Sequence, residues 1–248
     1  MSDRALLLRS IGAQTRAELL LTLRRGENVL ITVIVPPLLL VFFAAFGVPG
    51  LTEGRPVDFL LPGMLALAII ANGMVSLGIA TAYERYYGVL KRLGASPLPR
   101  GGLLLAKALA ILALEIVQVI VLVALATLAY GWRPGGMPLV AVLVVIIGTV
   151  AFAGIGLAMA GTLRAEATLA GANGLYLVFL IISGAVLPVD RLPGLLQNLA
   201  QLLPSTALVT ALRATLTAGA PFPGSALIVL VIWLVLALGV AARTFKWE

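Results

Sequence analysis

The sequence predicts an all-α fold: a polytopic membrane protein with six transmembrane helices, an amphipathic interfacial helix before them and two short re-entrant outer helices before the last span. Three observations carry that prediction. Of 248 residues, 61% are apolar and 11% charged, against about 45–50% and about 25% in an ordinary soluble domain. A mean hydropathy of +1.13 leaves too few polar groups to coat a globule of this length. Finally, the basic residues gather in alternate loops between the apolar stretches, as they do in membrane proteins of fixed orientation.

Residues 1–27 carry charge throughout, with Asp3, Arg4, Arg9, Arg16, Glu18, Arg24, Arg25 and Glu27; a signal peptide would show a clean apolar core and a small-residue cleavage site. Leu8, Ile11, Thr15, Leu19, Thr22 and Leu23 recur at helical spacing while Arg9, Arg16 and Arg24 fall on another face. That pattern fits a helix lying in the membrane interface, or one packing on a partner. The remainder, 28–248, is the membrane domain. Its apolar stretches lie at 29–46, 59–82, 103–130, 139–163, 169–187 and 226–242, each reaching or approaching the ~20 residues that cross a ~30 Å hydrocarbon core. Pro36 and Pro37 are expected to kink the first. Between the fifth and sixth, residues 188–222 are too many for a tight loop and too apolar for a solvated one. There, 192–203 and 205–217, split by Pro204, read as the two short helices of one leaflet.

With the N-terminus inside, 13 of the 17 Lys and Arg residues fall on the inner segments, counting Lys107 at the inner end of the third span. Only Arg55, Arg133, Arg191 and Arg213 are left outside. Both termini are therefore expected in the cytoplasm. Trp132 and Trp247 fall where interfacial aromatics belong.

The chain has no Cys and no His, which removes disulfides, thiol chemistry, His-ligated metals and every His-based dyad or triad. No catalytic residue and no metal site is expected. A phosphate-binding loop needs Gly-Lys-Ser/Thr, but Lys91, Lys107 and Lys246 follow Leu, Ala and Phe. Energy for uphill transport must come from a partner or an ion. Within the spans Glu115 is the one ionisable residue far from both interfaces, with Gln118 beside it. A carboxylate at that depth must be protonated, paired or turned to a wet interior. It reads either as a polar point on a substrate path or as one end of an interhelical hydrogen bond to Asn72, Ser76 or Asn173. Asn72, Ser76, Asn173 and Ser183 carry the same two readings, as path contacts or as packing glue. Gly154, Gly156, Gly161, Gly171 and Gly174 permit close helix approach.

The inner loop 83–102 carries Arg85, Lys91, Arg92 and Arg100, and its segment 86–93 is bracketed by Gly88, Gly94 and a Pro-x-Pro stop. Such a piece presents a rigid, charged and partly apolar helix to the cytoplasm. Here Glu84-Arg85, Gly88-Val89-Leu90-Lys91-Arg92-Leu93 and Ala95-Ser96-Pro97-Leu98-Pro99 resemble the E-R-x-x-G-x-L-K-R-L-x-A-x-P-L-P stretch of ABC transporter type-2 permeases. These are the membrane subunits of drug, polysaccharide and nodulation-factor exporters. A second block is similar to that family's S-G-x-x-x-P…L-P…L-P-x-T…A-L-R pattern: Ser183-Gly184 through Pro188, Leu192-Pro193, Leu203-Pro204-Ser205-Thr206 and Ala211-Leu212-Arg213.

The resemblance implies a permease paired with a second copy of itself, or a homologous permease, above two cytoplasmic ABC ATPase subunits. Those subunits would hold the ATP and Mg; this chain would hold no cofactor, and nucleic acid is no partner. Glu84, Arg85, Gly88, Leu90, Lys91, Arg92, Leu93 and Pro97 would form the coupling helix, with Arg164 and Glu166 as a smaller second contact. The N-terminal helix would be the connecting helix, and the substrate path would run between subunits, lined by the first, second and fifth spans. The first outer loop, 47–58, is shorter than in some relatives. The location implied is a bacterial inner (plasma) membrane in contact with lipid, with efflux as the activity. The alternative is a self-sufficient secondary transporter or channel, which wants inverted repeats or paired intramembrane charges; neither is visible.

Overall fold

The computed structural model describes residues 3–24, 26–47, 55–94 and 98–244. Among them regular structure is entirely helical. The helices are α1 (Asp3–Arg24), α2 (Gly26–Phe46), α3 (Pro56–Ile70), α4 (Leu77–Tyr86), α5 (Val89–Gly94), α6 (Arg100–Tyr130), α7 (Pro138–Thr162), α8 (Ala165–Ile182), α9 (Gly194–Gln201), α10 (Pro204–Leu216) and α11 (Gly224–Thr244).

Between α3 and α4 the helix never breaks. It loosens over Ala71–Ser76 into a π-helical turn, so that Pro56–Tyr86 is one 31-residue apolar rod. Four more helical stretches are long and apolar enough to cross a membrane: Gly101–Tyr130, Pro138–Thr162, Ala165–Ile182 and Gly224–Thr244. The apolar part of α2 within the described residues is Ile34–Phe46, and α9 and α10 meet at 78°. The second span is longer than the sequence pattern predicts, because Pro56 starts it and the charged Glu84-Arg85 pair still lies in its last turn. The fifth ends early, at Ile182: Gly184 adopts φ +82° and Pro188 follows, so residues 183–188 leave the helical path. Pro204 does not separate two helices but opens α10, where a missing N–H costs nothing. Helix α2 runs through Pro36 and Pro37 as a single helix.

The α3–α4 rod is the centre of the bundle, with nearly every α3 side chain from Leu60 onward buried. Helices α2, α6, α7, α8 and α10 pack around it. Its crossing with α7 depends on glycine: a Cβ on Gly156 would stand 2.7 Å from the carbonyl oxygens of Gly73 and Met74, and one on Gly73 2.9 Å from the Ala153 amide nitrogen. The two backbones touch directly, as small residues allow in membrane bundles. A second knot joins the far end of the bundle. A Cβ on Gly63 would stand 2.2 Å from Ala185 O. The Arg213 guanidinium donates to Gly184 O at 2.8 Å and lies 4.0 Å over the Phe59 ring, tying α10 to α3 and to the 183–188 loop.

Two expectations are corrected here. Trp132 is not an interfacial anchor: the cap of α6, with Gly131 at φ +60° and the Trp132 amide donating back to Ala126 O at 3.0 Å, folds it into the main core at 4% exposure. In α1 the buried positions are Ile11 and Glu18, while Leu8 is 69% exposed, so the inward face is offset from the stripe read from spacing. Trp247 lies outside the described residues.

Replacing Gly156 by Ala is expected to lower stability by about 1–3 kcal/mol, since two backbones must part. Gly174→Ala, which meets open space, should leave stability unchanged or raise it by up to ~1 kcal/mol. Thermal unfolding of the purified variants in detergent measures both.

Candidate functional site

The end of the bundle rich in basic residues is organised by the last turn of α4. Helical geometry spreads Tyr83, Glu84, Arg85, Tyr86 and Tyr87 around the axis, and each takes a different task. Glu84 turns to α6, where Lys107 Nζ lies 2.6 Å from its Oε2 and 2.9 Å from Glu18 Oε1 of α1. Gln14 donates a further bond to that Glu18 oxygen at 2.9 Å. Lys107 is 1% exposed. A buried ammonium survives only with such partners, and this one joins α1, α4 and α6. Arg85 turns the other way. It donates to Gly161 O at 2.9 Å and to Leu163 O, satisfying carbonyls that the end of α7 leaves open, with a cation at the negative end of that helix.

Beyond Tyr87, Gly88 takes φ +71°, a conformation only glycine adopts freely, and the chain turns into α5. Its Leu90 is 1% exposed and packs with Ile11, Leu77, Leu98 and Leu103 in a small second core, with Leu93 at its margin. Val89, Lys91 and Arg92 are exposed on the other face, as are Tyr86 and Tyr87. Arg164 and Glu166 are also exposed, in the turn between α7 and α8 that Arg85 grips. The coupling residues read from the sequence thus divide. Lys91, Arg92, Arg164 and Glu166 face outward; Leu90 and Leu93 anchor α5; Gly88 makes the bend; Glu84 and Arg85 are engaged inside the subunit. Pro97 lies outside the described residues.

Deeper in the bundle, the π turn directs Asn72 at α6. One amide group serves two acceptors: Asn72 Nδ2 donates to Glu115 Oε2 at 2.8 Å and to Gln118 Oε1 at 2.6 Å. Of the two readings of Glu115, the interhelical hydrogen bond is present, and Asn72 is its donor. The other carboxyl oxygen, Oε1, is buried without a hydrogen-bond partner among the described residues. Ser183 is buried at the end of α8, accepting from the Ala185 amide at 3.3 Å.

On the opposite side of the π turn lies a cleft of about 670 Å³, walled by α2, the π turn, α4 and α8 and closed at its foot by Thr22 of α1. Ser76 and Asn173 line it; Asn72, Glu115, Gln118 and Ser183 do not. The substrate-path residues therefore fall in three places: Ser76 and Asn173 in the cleft, Asn72, Glu115 and Gln118 in a buried polar cluster, and Ser183 at the end of α8. The cleft wall comes from the first, second and fifth apolar stretches of the sequence.

The family model for ABC-2 type transporters matches residues 9–217 of the chain. The chain belongs to the ABC-2 type transporter family. That match runs from Arg9 within α1 to just past the end of α10, including both ordered motif blocks and all walls of the cleft. No curated protein matches the chain. As an ABC-2 membrane domain it is a transport component of a multi-pass membrane protein rather than a catalyst, and members of the family work with an ABC ATPase.

Two charged residues that tie helices together, one at each end of the bundle, were not singled out by sequence reasoning. Lys107 entered only as one more inner positive charge, although its place seven residues inside a long apolar helix was a signal that it needed a carboxylate. Arg213 entered as an outer charge; its position within the second motif block was the clue to its structural task.

Lys107→Met is expected to destabilise the protein by about 3 kcal/mol, because two carboxylates stay behind without their cation. Adding Glu18→Gln and Glu84→Gln to it should restore most of that loss. Asn72→Leu should cost up to about 1.7 kcal/mol, the upper end for hydrogen bonds between membrane helices. Denaturation midpoints of these variants in one detergent decide both.

Proposed function

We propose that the chain is the membrane subunit of an ATP-driven exporter, two copies of which sit above two separate ABC ATPase subunits that hold the ATP and Mg. In this reading α2, the α3–α4 rod, α6, α7, α8 and α11 are the six spans. Both termini and α5 face the cytoplasm of a bacterial cell, and α9–α10 form the re-entrant pair on the outer side of its inner membrane. The substrate path passes the cleft between α2, α4 and α8.

The observation that carries the reading is the bracing of α5. Its exposed Val89, Lys91 and Arg92 offer a soluble partner a small mixed surface, and nothing behind that surface yields easily. Leu90 is sealed into the second core, Glu84 is held by Lys107, and Arg85 holds the end of α7. A push delivered at α5 therefore passes to α1, α6 and α7 together and along the rod, whose α4 turns and π turn form one wall of the cleft. A secondary transporter would have no use for a cytoplasmic helix braced from three sides.

Expressed with the ATPase encoded beside it and extracted gently, the chain should be recovered with that ATPase in equal numbers. The double reversal Lys91→Glu with Arg92→Glu should reduce the recovered ATPase at least about tenfold while the variant still inserts, as expected for removing charges from the centre of a small interface. A chain that purifies alone and moves an ion or solute across liposomes without ATP would overturn the reading.

A further inference from the structure

The cleft has a wall of unusual chemistry for the charged end of a basic protein. Ser76, Ala80, Tyr83 and Tyr87 follow one another at helical spacing along the side of the rod that faces α8, and Asn173 and Tyr176 face them from α8. No ionisable carboxylate, Lys or Arg lines the cleft among the described residues. The absence has a cause: the two charges in this turn of α4, Glu84 and Arg85, are both drawn away, one to Lys107 and one to the end of α7. What remains are neutral hydrogen-bonding groups. The hydroxyls of Ser76, Tyr83, Tyr87 and Tyr176 have no hydrogen-bond partner among the described residues. Asn173 uses one amide hydrogen on Leu169 O at 2.9 Å, which leaves its carbonyl oxygen free on an exposed face that from Leu169 to Ile181 is otherwise apolar. An amide turned to hydrocarbon is costly, so its natural neighbour is something polar in the cleft.

We propose that this cleft recognises an uncharged, hydroxylated, ring-bearing amphiphile of drug size. The proposal rests on the permease reading and names its substrate class. A volume of about 670 Å³ lies within the roughly 300–1,000 Å³ of drug-sized ligand sites. The apolar part of the ligand lies beside Val35, Pro36 and Val75 toward the middle of the bilayer. Its ring and hydroxyls lie between Tyr83, Tyr176 and Asn173, where aromatic side chains with polar tips meet one wet and one dry side. An anion finds no cation among the described residues of this wall. A cation finds no carboxylate among the described residues of this wall, and the Tyr83 and Tyr87 rings are stacked on each other at 6.1 Å. Small Ser76 and Ala80 leave the space open.

The test uses the full chain in nanodiscs of neutral lipid, without any ATPase, and three fluorescent probes. One is a coumarin glucoside bearing an octyl chain; the others replace the sugar with a sulfate or a trimethylammonium group. Saturable binding above empty discs is expected for the glucoside, with both charged probes at least about tenfold weaker, since neither finds a countercharge. Ala80→Trp, which fills the cleft, should abolish that binding. Tyr83→Phe and Asn173→Leu, which keep the bulk of the wall, should each weaken it about fivefold, the worth of one neutral hydrogen bond. A charged probe that binds as tightly as the glucoside overturns the proposal, and so does unchanged binding in folded Tyr83→Phe and Asn173→Leu. Since no ATPase is present, failure to assemble with a motor leaves this result untouched. A chain that assembles with its motor yet does not discriminate charge overturns the ligand class alone.

Discussion

A single buried lysine holds the basic end of this molecule together. Lys107 lies inside an apolar helix, 1% exposed, between Glu18 of α1 and Glu84 of α4. Its ammonium cannot be left alone at that depth, and its two carboxylate partners come from α1, which packs on α6, and from the last turn of α4, which packs on α7 and α8. Helix α1 otherwise meets α6 through a narrow inward face centred on Ile11. The last turn of α4 would otherwise carry a carboxylate into the membrane boundary. The ion cluster settles all three at once, and in doing so sets where α5 leaves the bundle.

The same economy governs the rest of the polar inventory. Arg85 is spent on the open carbonyls of α7, Arg213 on those of Phe59 and Gly184, and Asn72 on Glu115 and Gln118. Each joins separate helices, and each lies on or beside the α3–α4 rod. The rod is thus tied by polar bonds at its two ends and its middle, and by glycine contacts with α7 between them. Its π turn has one side committed to the Asn72 cluster and another lining the cleft. π turns are found frequently at functional sites, and here the turn forms one part of a cleft wall that continues along α4 to Tyr87.

Much of this was legible in the sequence. Apolar run length located the five long apolar helices to within about five residues at each end, and Glu115 stood out as a carboxyl that had to be protonated, paired or wet; Asn72 was among the three partners named for the paired reading. The π turn was not legible, since Ala71–Ser76 has the composition of any apolar helix and only packing against Gly156 reveals the altered register. Nor was the division of the 84–93 stretch into inward and outward residues. Charges counted by position along the chain have no direction, and Glu84 and Lys91 look alike until the helices that accept Glu84 are in place. Trp132 was misplaced for a related reason: proximity to a helix end stood for exposure, but the glycine cap of α6 turns that residue back into the core.

If an ABC ATPase drives this chain, as proposed, α5 and the cleft wall move as one unit when that ATPase binds nucleotide. The chain has no cysteine, so a pair introduced by Leu38→Cys on α2 and Val178→Cys on α8, both exposed in the wild type, can be spin-labelled without interference. Electron–electron resonance on the complex with its ATPase then reads the distance across the cleft with and without a non-hydrolysable ATP analogue. The account predicts a nucleotide-dependent shift of that distance, absent once Lys107→Met releases α4 from α1 and α6. One unchanging distance in both nucleotide states would contradict it.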